Sequence, residues 1–166
     1  MQSRILIKTN LQTSMAMVLP LIEDMKSKPL VFPTPMGGNH PLWILGHLIY
    51  SDGVLLDEIM LDQPSAVADL KEHFQGGTEP MDDDIIYPSM GNLLTRCRDL
   101  RHGHMELLEQ FSEEDLDQPS KNVPPKYQSY LATYRDCFMM VANHWLMHRG
   151  QVADARRAGG RARLES

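Results

Sequence analysis

The sequence predicts an all-α protein, a four-helix bundle, and three observations lead there. Apolar residues recur at steps of three and four in four separate segments, no segment alternates with the period of a strand, and one polar connection is long enough to cross the length of a bundle. The first helix is expected over about 9–26: Thr9 and Gln12 have capping-box spacing, and Leu11, Met15, Val18, Ile22 and Met25 form its apolar stripe. Pro20 should kink it, and "SKP" should end it. The second is expected over about 40–61, with Asn39 as cap, Pro41 in the first turn, and Leu42, Leu45, Ile49, Leu56 and Ile59 on one face until "LDQPS".

Asp62 to Pro88 is the polar, Pro- and Gly-containing connection. The third helix, about 89–111, carries Leu93, Cys97, Leu100, His104, Leu107 and Phe111 as a core seam. The fourth, about 128–158, follows "NVPPK", runs through Tyr134, Phe138, Val141, Trp145 and Val152, and stops at Gly159 and Gly160. No repeat or second domain interrupts the 166 residues, so 1–166 reads as one domain.

Composition narrows the function. A net charge of -6 argues against a phosphate-neutralising surface, so nucleic acid is not expected as a partner. Arg156, Arg157, Arg161 and Arg163 read as cations at a helix end running into a solvated tail. Cys97 and Cys137 cannot form the framework of a small secreted domain and read as buried apolar residues. "MQSRILIKTN" lacks the apolar core of a signal peptide, and no run approaches the roughly 18 apolar residues of a membrane span. A cytoplasmic location without membrane attachment is therefore expected.

The chemistry sits in "NHWLMHRGQ", residues 143–151. Four residues along a helix turn the side chain by about 40° and advance it about 6 Å, so His144 and His148 share a face and can close on one ion. A third ligand is needed, and His47 in "LWILGHLIY" is the candidate, because an imidazole unpaired in that apolar setting is costly. Helices two and four, packed antiparallel, bring His47 within roughly 6 Å axially of the pair; packed parallel, they leave some 18 Å. This favours an up-down-down-up bundle, with the connection from Asp62 to Pro88 as the crossover between helices two and three. By the same reckoning His104 lies about 10 Å or more beyond the site and reads as a hydrogen-bonded core histidine. His73 and His102 read as surface; His40 reads as exposed at a helix start, with an outer contact to the site as the alternative. Asp52 and Asp154 are off the ligand spacing and read as surface, leaving no evident general base for metal-assisted hydrolysis.

"PLWILGHL" followed near the C-terminus by "NHWLMHRGQVADARRAGG" resembles the DinB-like metal-binding four-helix-bundle superfamily over nearly the whole chain. The resemblance implies that His47, His144 and His148 bind one divalent metal ion per chain, zinc or nickel, with solvent completing the shell. It implies a thiol S-transferase or isomerase acting with a low-molecular-weight thiol and an electrophile, or alternatively a non-catalytic metal-binding or stress-associated module. A homodimer is a further implication.

Overall fold

A computed structural model describes residues 3–164. The fold is all-α, and among the described residues there is no strand beyond two isolated bridges. In order, α1 spans Ser3–Asp24 and α2 Pro41–Gly53, the latter continued by a π-helix over Val54–Met60; α3 is a short helix at Lys71–Phe74. The long α4 (Met90–Gln110) follows, then short α5 (Glu113–Leu116) and α6 (Tyr134–Ala158). α1 packs most extensively on α6, and α2 lies against α4 and α6.

Local chemistry moves several expected boundaries. α1 starts six residues before Thr9, whose hydroxyl is no cap: it donates to the Ile5 carbonyl at 2.9 Å inside the helix. Pro20 is accommodated within α1, because Pro20 and Ala16, whose carbonyl loses its helical donor, both face solvent. α1 is also long and apolar enough to cross a membrane, with a mean hydropathy of 1.3, contrary to the expectation that no run approaches a span. Lys8 and Asn10 interrupt a count of consecutive apolar residues; in the fold Ile7, Leu11, Val18 and Ile22 are buried within the bundle.

His40, not Asn39, caps α2. Its Nδ1 accepts the Trp43 N–H at 3.0 Å, and its Nε2–H donates to the Met81 carbonyl at 3.1 Å, so the residue expected at the surface is fully buried. α6 begins at Tyr134 rather than near Gln128, because Thr133 and Asp136 form a reciprocal capping box there; Pro125–Tyr127 is a separate 3-10 turn. Gly159 caps α6, and Gly160 takes the left-handed conformation (φ 73°) that its missing Cβ permits.

The connection before α4 contributes to the core. Val67, Leu70 and Phe74 are buried against α2, and two helical glycines make room for them. A Cβ at Gly46 would lie 2.2 Å from the Phe74 ring, and one at Gly53 would lie 2.3 Å from Ser65 Oγ. Gly46 thereby lets residue 74 lie flush on α2, one position from His47.

A buried ionic cluster sits where the two apolar clusters of the core meet. Asp52, expected at the surface, is 2% exposed and accepts from Arg101 Nη2 at 2.9 Å and from Trp145 Nε1 at 3.0 Å. Arg101 also donates to the Leu11 carbonyl at 3.2 Å, so this one cluster links α1, α2, α4 and α6. Burial pushes the Asp52 carboxyl up to about 6, against the opposing pull of Arg101 and the Trp145 N–H. Arg156 likewise is not part of a solvated tail: it is 6% exposed and donates to Asp24 at 2.9 Å and to the Ala162 carbonyl.

His104 is in the core as expected, but it is not hydrogen-bonded. Both ring nitrogens are buried without a partner, and burial reinforced by nearby Arg101 pushes its pKa down to about 3. His102 is exposed beside Glu106, whereas His73 is half-buried. Both cysteines are free and buried, with thiols pushed by burial up to about 12 (Cys97) and about 11 (Cys137), so neither is poised as a nucleophile.

Candidate metal centre

His47, His144 and His148 come together, each offering one ring nitrogen within 4.8 Å of the others. The ring centroids are 5.0 Å apart for His47 and His144, 5.1 Å for His47 and His148, and 4.8 Å for His144 and His148. All three pairs are edge-on, so the rings surround a common point instead of stacking. Nε2 of His144 and Nε2 of His148 are 3.1 Å apart, close to the roughly 3.3 Å edge of a tetrahedron with metal–nitrogen bonds of about 2.05 Å.

The surrounding contacts select which nitrogen faces that point. His47 Nδ1 lies 2.7 Å from the Phe74 carbonyl, which can only accept, so Nδ1 carries the proton and Nε2 keeps its lone pair. His148 Nδ1 donates to Gln151 Oε1 at 2.8 Å, and the same oxygen accepts from Asn39 Nδ2 at 3.1 Å, with the same result for His148. Trp43 stacks on His47 at 4.7 Å, and its indole N–H is tied to the His73 carbonyl at 2.9 Å. Among the described residues His144 Nδ1 has no such partner and is buried unpaired; packing and the Nε2 contact with His148 orient the ring.

Burial lowers the pKa of all three imidazoles. For His144 it acts with His148 and His47 and brings the value down to about 3. For His47 and His148 burial outweighs the hydrogen bonds to Phe74 and Gln151. The three rings are therefore neutral near pH 7, the form that binds a metal, and the donor set fits a divalent ion that accepts nitrogen ligands. A cavity of about 310 Å³ opens beside the triad, with His47 and His144 in its wall.

A model of the DinB superfamily matches residues 10–152, a span that contains all three histidines. The chain belongs to the DinB superfamily. No curated protein matches it. In this DinB-superfamily chain the helical pattern locates the imidazoles, but the groups that orient them are less visible in sequence. Gln151 is signalled by its place three residues after His148, on the same helix face. The Phe74 carbonyl carries no side-chain signal, and of the cavity tyrosines Tyr127 falls just before the expected fourth helix and Tyr130 within it.

With a chelator present, the unfolding free energy is expected to fall by about 3 kcal/mol between pH 7 and pH 5. His104 and His144 have folded values of about 3 against an ordinary 6.5, so the unfolded chain takes up protons first. Their stabilisation is intact above pH 6.5 and is lost below it at about 1.4 kcal/mol per unit for each group, about 2 kcal/mol apiece by pH 5. Asp52 acts oppositely: its folded value of about 6 exceeds 3.8, so the fold gains its proton first and recovers about 1.4 kcal/mol by pH 5. Urea denaturation at the two pH values measures the difference, and His104→Leu should cut the loss to about 1 kcal/mol. A pH-independent midpoint contradicts the assignment.

Proposed function

We propose that His47, His144 and His148 hold one divalent metal ion per chain, zinc or nickel, and that the chain is a metal-dependent thiol S-transferase. The observation carrying the reading is the convergence of neutral imidazoles, two of them held by Phe74 and Gln151 with Nε2 inward, at the wall of a cavity. When bound, a divalent ion there supplies Lewis acidity that draws a thiol toward its anion near neutral pH. The residues of the chain do the rest. Phe74 and Gln151 hold the Nδ1 protons, Trp43 covers one face of His47, and the cavity gives access to the triad. In the transfer, the thiol releases its proton to solvent, its sulfur forms a bond to the electrophilic carbon, and the leaving group departs with the bonding pair. Hydrolysis fits less well, because among the described residues no carboxylate lines the cavity to serve as general base.

The reading includes an up-down-down-up bundle. Supporting it, Ser3 contacts Arg135 and Asp24 contacts Arg156, so α1 and α6 run together. Lys8 pairs with Glu109 and Glu23 with Arg98, so α1 and α4 run oppositely. The pairs Asn39–Gln151 and Asp52–Trp145 suit an antiparallel α2 and α6. A cytoplasmic location is part of the same proposal and suits two free, buried thiols.

Cobalt substitution tests the function. A small thiol added to the cobalt-loaded chain is expected to change the visible spectrum, because sulfur alters both ligand type and geometry, and His47→Ala should abolish the change. A spectrum unmoved by thiol from pH 6 to pH 9 would reduce the protein to a metal-binding module.

A further inference from the structure

The cavity beside the triad has a composition that bears on what enters it. One end is formed by His47 and His144. Val54, Leu55 and Ile59 of the π-helix make one wall, and Leu131 and Met140 make the other. The π-helix is itself a departure that often marks functional sites, and it puts three apolar side chains along the cavity. Besides the two histidines, every polar side chain lining the space carries a hydroxyl: Tyr50, Ser51, Tyr127 and Tyr130. Burial, helped by nearby Glu58, raises the Tyr50 phenol, so it too stays uncharged. Among the described residues no Lys, Arg, Asp or Glu lines the cavity; Lys126 sits 4.6 Å over the Tyr127 ring but is not in its wall.

We propose that the molecule bound beside the triad is uncharged and mainly apolar, and that a thiol or electrophile bearing carboxylates does not seat in this cavity. The inference rests on the proposed role of the triad but concerns the chemistry of the pocket. A volume of about 310 Å³ lies at the low end of small-molecule sites, roughly 300–1,000 Å³, and suits a single aromatic or short aliphatic body. Without a metal ion in the triad, an ionised group there loses water without gaining a counter-charge from the lining side chains, which weakens binding by at least about 30-fold relative to a neutral group of the same shape.

The test uses the full chain, both metal-loaded and chelator-treated, with three probes sharing one ring: 2-naphthylmethanol, 2-naphthalenesulfonate and 2-naphthylmethylammonium. Calorimetry should give a dissociation constant for the alcohol at least about 30-fold below that of either ion in the chelator-treated protein, and below that of the ammonium in the metal-loaded protein as well. Met140→Lys, a half-buried position where a lysine stem fits the path of methionine, should weaken the alcohol and bring the sulfonate to comparable affinity. Val54→Phe, which fills the space without adding charge, should weaken the alcohol alone and guards against a poorly folded lysine variant. Binding of either ion as tight as that of the alcohol in the unaltered, chelator-treated chain overturns the proposal, as does alcohol binding indifferent to both substitutions. If the chain holds no metal yet keeps this order of affinities, the metal reading fails and the pocket chemistry stands. If the chain holds metal but, once chelated, prefers the sulfonate, the metal reading stands and the pocket chemistry fails.

Discussion

Arg101→Met is expected to lower the unfolding free energy at pH 7 by about 3–5 kcal/mol, the largest loss for a single substitution in this fold. Arg101 is the counter-charge of Asp52, which is 2% exposed and otherwise accepts only from the Trp145 indole. Without the guanidinium the carboxylate must stay charged in the core or take a proton. Methionine replaces most of the apolar stem but not the donation to Leu11 or the cation above the Trp145 ring, 4.8 Å from its centroid. Two controls separate charge from packing. Asp52→Asn combined with Arg101→Met should recover most of the loss, because no charge is left buried. The deficit of Arg101→Met alone should also shrink as pH falls from 7 to 5, because Asp52 then takes its proton more readily. A loss below about 1 kcal/mol, or one independent of pH, would refute this account of the cluster.

The same cluster illustrates what the sequence discloses. Helical periodicity is carried by side chains that face the core, so Leu93 and Cys97 on α4 and Phe138, Val141 and Trp145 on α6 mark their helices plainly, although Arg101 and Leu108 fill the α4 seam where Leu100 and Leu107 are expected. The triad was legible for a related reason: the spacing of His144 and His148 is itself a geometric statement, and axial reckoning along two helices reached His47. Asp52 and Arg101 were not, because a charge defaults to the surface until its partner is known, and they lie 49 positions apart. The same holds for His40, whose partner Met81 lies within the connection, 41 positions on. That connection was misjudged because its apolar anchors, Val67, Leu70 and Phe74, are sparse among polar residues, and the glycines that receive them sit in another helix. The start of α6 lies six residues beyond the expected Gln128 because the Thr133–Asp136 box fixes it at Tyr134.

A triad that holds metal should fail as a unit. Each imidazole supplies one of three protein ligands, so removing any one leaves a two-nitrogen site and a large drop in affinity, well beyond the 10–100-fold attached to an orienting neighbour such as Gln151. The elemental content of the untagged chain measures this most directly. The expected result is about one zinc or nickel ion per chain for the unaltered protein, and below about 0.1 for His47→Ala, His144→Ala and His148→Ala, each with an unchanged helical spectrum. His104→Leu, in the core but outside the triad, should keep the full complement. Full metal content in all three triad variants, or loss in His104→Leu alone, would contradict the assignment of the site.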